Sequence, residues 1–317
     1  MNAPATDDGP RGSLPRVAFQ GEAGAFSEEA IRAHFGDEAT PLPSTSFQEL
    51  VQRVAVGQAE LGMIPVENSL AGSVAPAYDA LMEARVEILD ELIRPIRLCL
   101  MALPGVKTDE LTRVISHPVA LAQCGNFLRG LDGVERVAVH DTAGAARRVA
   151  REGRGEVAAV APRGAAALYG LELLAEGIQD RADNQTRFYL IRRRNSPTNS
   201  SLGQQRSDAA DTGPASSSDG MKTVVIMDLE HRPGSLAGAL EPLAAHGLNL
   251  SRIESRPAPT PWTYRFVLDL RHPGPPAAVA PALAELSQRV GTVRVLGTFP
   301  AAPAARRPVS PLPAPPR

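Results

Sequence analysis

Asp183-Asn184-Gln185-Thr186-Arg187-Phe188-Tyr189-Leu190-Ile191 starts polar and runs into four apolar residues, the pattern of a strand with its chemistry gathered at one end. Successive strand side chains point to opposite faces. Thr186 and Phe188 therefore belong to one face and Arg187 to the other, unless the strand is just ending there. Together the three suit a small, anionic, ring-shaped substrate: a guanidinium for a carboxylate, a ring against a ring, a hydroxyl to hydrogen-bond a leaving oxygen. A Thr-Arg-Phe tripeptide also closes many ordinary strands, so the rest of the chain decides what it means.

Upstream, short apolar runs alternate with helical patterns from Arg16 to about Arg194. Val17-Ala18-Phe19 reads as a buried strand, followed by the turn Gly21-Glu22-Ala23-Gly24. A helix starting near Ser27 carries Glu28 and Glu29 in its first turn, where the helix dipole favours acids. Ser46 with Glu49 forms a capping box. Leu61–Ile64, Ile96–Leu103, Val114-Ile115, Val134–Val139 and Val157–Ala161 are further strands. Helices start near Pro118, Thr142 and Pro162, and both prolines suit the first helical position. Alternating β and α predicts α/β architecture with mostly parallel pairing, divided over two small sheets. Ligands in such folds bind beyond the carboxyl ends of strands.

Downstream, 195–220 is Ser/Asp/Gln/Gly-rich without periodicity and reads as a flexible linker. A second unit spans 221–300. Thr223–Leu229 is a strand, Pro233-Gly234-Ser235 turns into a helix ended by Gly247, and Leu248–Ile253 is the next strand. Tyr264, Phe266, Leu268 and Leu270 alternate strictly, Leu283, Leu286 and Val290 mark a second helix, and Val293–Leu296 the last strand. The order βαββαβ predicts a four-stranded antiparallel sheet with both helices on one face. Residues 1–15 and the Pro/Ala-rich 301–317 read as disordered.

Composition narrows the function. The 317 residues are 43% hydrophobic and 21% charged, which suits a soluble globular chain of two to three domains. A net charge of −2 offers no field for nucleic acid or an anionic membrane. No apolar run approaches the ~18 residues of a membrane helix. Cys99 and Cys124 lack metal-ligand spacing and read as reduced core residues, so a cytoplasmic location is expected. Gly21 and Gly24 do not make GxGxxG and no Walker lysine follows, which disfavours a nucleotide cofactor. No cofactor and no metal are expected.

Four segments of the first unit belong together: Gly21-Glu22-Ala23-Gly24-Ala25-Phe26-Ser27, Ile64-Pro65-Val66-Glu67-Asn68-Ser69, Ser116-His117-Pro118 through Gln123-Cys124, and Asn184-Gln185-Thr186-Arg187-Phe188. In this order and spacing the set resembles the prephenate dehydratase family. The second unit resembles the ACT domain that follows the catalytic part there, through Gly234-Ser235-Leu236, Gly247-Leu248-Asn249-Leu250 and Glu254-Ser255-Arg256-Pro257. The resemblance covers about Arg16 to Phe299. It implies a two-lobed, periplasmic-binding-protein-like catalytic unit over 16–194 and a ferredoxin-like regulatory unit.

The implied reaction converts prephenate, with loss of carbon dioxide and the ring hydroxyl, to phenylpyruvate on the way to phenylalanine. Arogenate is the alternative substrate, and a non-catalytic two-lobed sensor the distant one. A departing hydroxide gains charge and needs a donor, whereas the carboxylate lost as carbon dioxide should not be gripped hard. The resemblance makes Thr186 that donor, in a network completed by Ser116, Gln123, Glu67 and Asn68. It puts Arg187 on a carboxylate, Phe188 against the ring, and Ala25, Phe26, Ser27 and Ser69 around the substrate. Phenylalanine is implied as effector at paired ACT domains of a homodimer or tetramer. Its site is Gly234, Ser235, Leu236, Asn249, Leu250, Glu254, Ser255, Arg256 and Pro257.

Simpler roles stay open for several of these. Ser116 can cap the helix at Pro118, and His117 beside a helix start is more often structural than acidic. Gln123 lies about two turns after Ser116, facing either the cleft or solvent. Glu254 and Arg256 can form an ordinary pair on a strand. The chain also departs from the family: Ala25 stands where many members carry Thr, and Gly234-Ser235-Leu236 replaces the usual Gly-Ala-Leu. The Phe19–Phe26 pattern looks closer to the branch with plant arogenate dehydratases. No helical mutase segment precedes Arg16, so a fused chorismate mutase is not expected.

Overall fold

The computed structural model describes residues 14–194 and 220–302. Expectations for 1–13, 195–219 and 303–317 lie outside the described residues. The first lobe comprises β1 (Arg16–Gln20), α1 (Phe26–Phe35), β2 (Thr40–Ser44), α2 (Phe47–Ala55), β3 (Leu61–Asn68), β4 (Gly72–Ser73), α3 (Ala75–Glu83) and β5 (Val86–Pro95). The chain then crosses into a second lobe of β6 (Leu98–Ala102), β7 (Arg113–Ser116), α4 (Pro118–Gln123), α5 (Gly125–Arg129) and β8 (Glu135–Ala138). That lobe continues with α6 (Thr142–Glu152), β9 (Val157–Pro162), α7 (Arg163–Tyr169) and β10 (Glu172–Glu176). It returns through β11 (Gln185–Arg193) into the centre of the first sheet. The sheet orders are β2-β1-β3-β11-β5 and β10-β6-β9-β7-β8. Two crossings between two sheets give the two-lobed, periplasmic-binding-protein-like plan, with a cleft where strands end.

Pairing is more mixed than the mostly parallel expectation. β11 runs antiparallel to both β3 and β5, because it re-enters from the other lobe and not over a crossover helix. β6 is likewise antiparallel to β9 and β10. β2 and β5 were not foreseen. β2 contains Pro41 and Pro43, which a strand tolerates at a sheet edge, where β2 lies. Pro118 opens α4 as expected, but Pro162 ends β9 and caps α7. Ser46 accepts the Glu49 amide, while the Glu49 carboxylate reaches back to Thr45 and not to Ser46.

The second unit has the expected βαββαβ order: β12 (Met221–Asp228), α8 (Ser235–Ala245), β13 (Asn249–Pro257), β14 (Tyr264–His272), α9 (Ala280–Arg289) and β15 (Thr292–Pro300). Its antiparallel sheet runs β13-β14-β12-β15. One face, with Val225, Met227, Leu268 and Leu270, carries both helices. Val224, Ile226, Val267, Leu296 and Phe299 of the other face join Ile88, Tyr189 and Ile191 of the first lobe in one core. Two sheets thus pack face to face across the unit boundary. The two backbones come close at Gly297 on β15, where a Cβ would stand 2.2 Å from the Ile88 carbonyl oxygen.

Candidate active site

A bulge decides which side chains meet at the mouth of β11. Phe188 pairs with Pro65 but Arg187 pairs with Glu67, so Val66 is an extra residue on β3 and Thr186 comes opposite Asn68. Without that insertion Thr186 would face Glu67. Re-aiming a side chain is what a bulge does beside a site. Asn68 Nδ2 donates to Thr186 Oγ1 at 3.0 Å and to Asn184 Oδ1 at 2.8 Å. Asn68 Oδ1 accepts from Gln123 Nε2 at 3.2 Å and from the Leu70 and Ala71 amides. Asn184 Nδ2 closes the ring on Gln123 Oε1 at 3.0 Å. Each amide thereby fixes the orientation of the next. Asn184 is fully buried and Thr186 nearly so. Gln123 comes from the second lobe and the other three from the first, so the cluster bridges the cleft.

Thr186 Oγ1 is the acceptor for Asn68, and the structure gives its own hydrogen no acceptor among the described residues. A hydroxyl held in this way presents its proton outward. At the start of α1, Phe26 packs against the cores of both lobes, Ala25 caps α1 without a side-chain bond, and Ser27 is buried. Ser69 ties the strand ends by accepting the Gln185 amide and donating to the Asp183 carbonyl. The second lobe closes on this segment through Tyr169 to the Ala23 carbonyl (2.8 Å) and Arg147 to Glu22 (2.8 Å). Gly24, at φ +84°, has no room for a Cβ, which would lie 3.1 Å from Ala165 Cα.

Other expected residues are placed elsewhere. Ser116 is fully buried and donates to the Val160 carbonyl at 2.6 Å, so it neither caps α4 nor joins the cluster. His117 caps α4, its Nδ1 accepting the Val119 amide at 3.3 Å, which requires the neutral ring. Burial, and then His140, push its pKa down, which favours that form. Glu67 and Arg187 are cross-strand partners on the face turned away from Thr186, because the bulge fixes the alternation. There Arg187 Nε meets Glu67 at 3.0 Å and Nη1 meets the buried Glu91 at 2.6 Å. Phe188 is buried in the core against α1, among Phe19, Ile31 and Met63.

Sequence reading missed Arg94, and it placed Asn184 in the Thr186 motif without giving it a role. Arg94 lies on β5 directly opposite Thr186, so both occupy one face of the sheet. It has no ion pair or hydrogen bond among the described residues, and its charge reaches Glu29 of α1. Burial pushes the Glu29 carboxyl up, against the Gly164 amide and Arg94. Among the described residues no group of three or more His, Cys, Asp or Glu is placed to hold a metal ion.

In the second unit a cavity of about 150 Å³ is lined by Leu229, His231, Arg232, Ser235, Leu236 and Tyr264, among others. Gly234 gives α8 its left-handed N-terminal cap. Asn249 and Leu250 stand at the far end of β13 from that cavity, since Leu250 pairs with Leu270 and Pro257 with Tyr264. Glu254 pairs with Arg252, while Arg256 holds Asp79 of α3 with both prongs (2.9 and 2.6 Å). Arg256 therefore ties the two units within one chain, not across a subunit contact. Ser255 and Pro257, on either side of Arg256, are exposed.

Comparison with known proteins identifies the family. Residues 17–196 match the family model described as Prephenate dehydratase, and 223–288 match the ACT domain. An Arabidopsis thaliana arogenate dehydratase/prephenate dehydratase 2 is 38% identical over 93% of this chain and 75% of its own length. The solved prephenate dehydratase of Arthrobacter aurescens in complex with L-Phe is 32% identical, with a TM-score of 0.78 over 92% of each chain. A solved protein named GqqA, described as a novel type of quorum quenching acylase, is 36% identical, with a TM-score of 0.76 over 91% of this chain and 98% of its own. With a catalytic match over more than half its length and an ACT domain behind it, the chain belongs to the prephenate dehydratase family.

Proposed function

We propose that residues 16–194 catalyse the decarboxylative dehydration of prephenate to phenylpyruvate, under feedback by phenylalanine at the ACT unit of 221–300. One observation carries the reading: the Thr186 oxygen is occupied by Asn68, so its hydrogen is left for the departing hydroxide. A preorganised donor aimed where charge develops lowers the barrier without reorganisation. Asn68, Asn184 and Gln123 hold it, and Phe26 and Ala25 border the ring. Arg94, without an ion pair among the described residues and on the same face, takes the substrate carboxylate that is retained. Arg187 is committed to Glu67 and Glu91 on the far face and serves the fold. The acylase description of GqqA finds less support, because among the described residues no base is hydrogen-bonded to Thr186 to make it a nucleophile.

The alternative substrate is arogenate, which differs from prephenate by an amino group in place of the side-chain ketone and is named for the plant relative. No helix among the described residues is long and apolar enough to cross a membrane, and a cytoplasmic homodimer or tetramer fits the reading. The test is phenylpyruvate formation from prephenate beside phenylalanine formation from arogenate, each with and without added phenylalanine. Turnover of the first defines a prephenate dehydratase. Turnover of neither overturns the proposal.

A further inference from the structure

Lys222, at the start of the ACT sheet, is buried to 2% side-chain exposure. Its ammonium lies 2.6 Å from Glu91 Oε2 and 3.5 Å from Asp269 Oδ2. Lysine is almost never fully buried unless paired, so the contact is a built one. The Glu91 side chain is itself fully buried, on β5 of the catalytic lobe. The same Oε2 receives Arg187 Nη1 at 2.6 Å, and Oε1 receives the Ala302 amide at 2.8 Å. One carboxylate thus gathers a cation from each unit and the amide that follows the last ACT strand. Burial opposes its charge, but Lys222 and Arg187 outweigh burial and hold it below the usual carboxylate range. Arg187 is the residue next to Thr186, on the N-terminal side of the bulge. The Arg187 side chain, pinned to Glu67 and Glu91, anchors that end of β11. Two residues on, the Tyr189 hydroxyl reaches Asp269, the second partner of Lys222, at 3.3 Å.

We propose that Lys222 is a positioning residue for the dehydration: through Glu91 and Arg187 it fixes the end of β11, and with it the Thr186 hydroxyl. The inference rests on the functional reading above. It predicts that the ACT unit completes the catalytic sheet even when no effector is bound. A misplacement of about 1 Å at a reacting group can cost on the order of a hundredfold in rate.

The test compares full-length wild type, Lys222→Met, Lys222→Arg and Asp269→Asn, each assayed well below its melting temperature. Lys222→Met should lower kcat about tenfold or more while KM stays within about twofold. Lys222→Arg, which keeps the charge, should recover most of that loss. Hydrogen exchange of the 183–189 peptide should quicken in Lys222→Met and stay unchanged in the α1 peptide. Asp269→Asn keeps the volume and folds if Lys222→Met does not. It should show the same pattern more weakly. Unchanged kcat with unchanged exchange at 183–189, in either folded variant, overturns the proposal. If wild type turns over neither substrate, the functional reading fails and the exchange data still decide the positioning role.

Discussion

Thr186 can donate to a substrate because Asn68 has already satisfied its oxygen, and that dependence is measurable. Thr186→Ala should reduce kcat about a hundredfold with KM nearly unchanged, since the hydroxyl acts only as the C–O bond breaks. Retention of more than half the wild-type kcat would remove it from the mechanism. The two arginines separate by the same logic. Arg94→Met should raise KM about tenfold and leave melting unchanged, because it breaks no ion pair. Arg187→Met should lower the melting temperature, and kcat with it through the Thr186 end of β11, because it leaves Glu67 and Glu91 with one cation fewer. A KM effect in Arg187→Met without loss of stability would return the carboxylate to Arg187. Thr186, Asn68 and Gln123 were legible in the sequence as side chains near polar strand and helix ends. Ser116 and Glu67 were not correctly legible. Whether Ser116 bonds Val160 or the cleft depends on a neighbouring strand, and which of Glu67 and Asn68 points inward depends on one inserted residue.

That insertion, Val66, belongs to the scale of elements. The apolar run Leu61–Ile64 shows the strand in sequence, but a bulge has no period to reveal it. β5 escaped for a related reason: Val86-Glu87-Ile88-Leu89-Asp90-Glu91 buries Glu91, so its pattern is not that of a half-solvated strand. Only the second unit explains that burial. The ACT order itself was legible, because its sheet has one helix-covered face and apolar residues recur at every second position along β14. Its second face, packed on the first lobe, was not foreseen. Gly297 tests that contact. Gly297→Ala should destabilise the chain by about 1–3 kcal/mol, as overpacking does when the opposing atom is backbone and cannot yield. An unchanged melting temperature would mean that the two sheets can part at β15 without loss.

At the scale of the whole molecule, buried charge makes the union of the units depend on pH. Glu91 is held below its ordinary value of 4.5 once Lys222 and Arg187 outweigh burial. A depressed carboxylate contributes stability above its unfolded pKa and loses it as pH falls through the folded one. The melting temperature should therefore drop below about pH 4.5 in wild type, and more shallowly in Glu91→Gln, which starts lower. Parallel acid limbs in the two proteins would remove Glu91 from the linkage.

Effector control tests the same interface from the other side. α8 has 11 residues, about 16 Å of helix, so Gly234-Ser235-Leu236 at its start and Asn249-Leu250 beyond its end cannot line one pocket in a single chain. Phenylalanine binding between paired ACT units, which the resemblance implies, therefore requires a second copy to bring the two sets together. From there β13 leads inward. Arg252 donates to Ser73 at 3.0 Å and stacks over Tyr78 at 4.1 Å, and Arg256 grips Asp79. Ser73 pairs with Glu67, one residue from Asn68. A shift of β13 on binding would thus reach the hairpin that orients Thr186, with no need for a rigid linker. Phenylalanine at millimolar concentration should inhibit the full-length enzyme and raise its melting temperature, as a ligand of the folded state must. Asp79→Asn should keep the melting shift while blunting the inhibition, because it loosens the link and spares the pocket. Equal inhibition in Asp79→Asn and wild type would place the coupling elsewhere. Absence of both inhibition and melting shift in wild type would leave the ACT unit an assembly and positioning element alone.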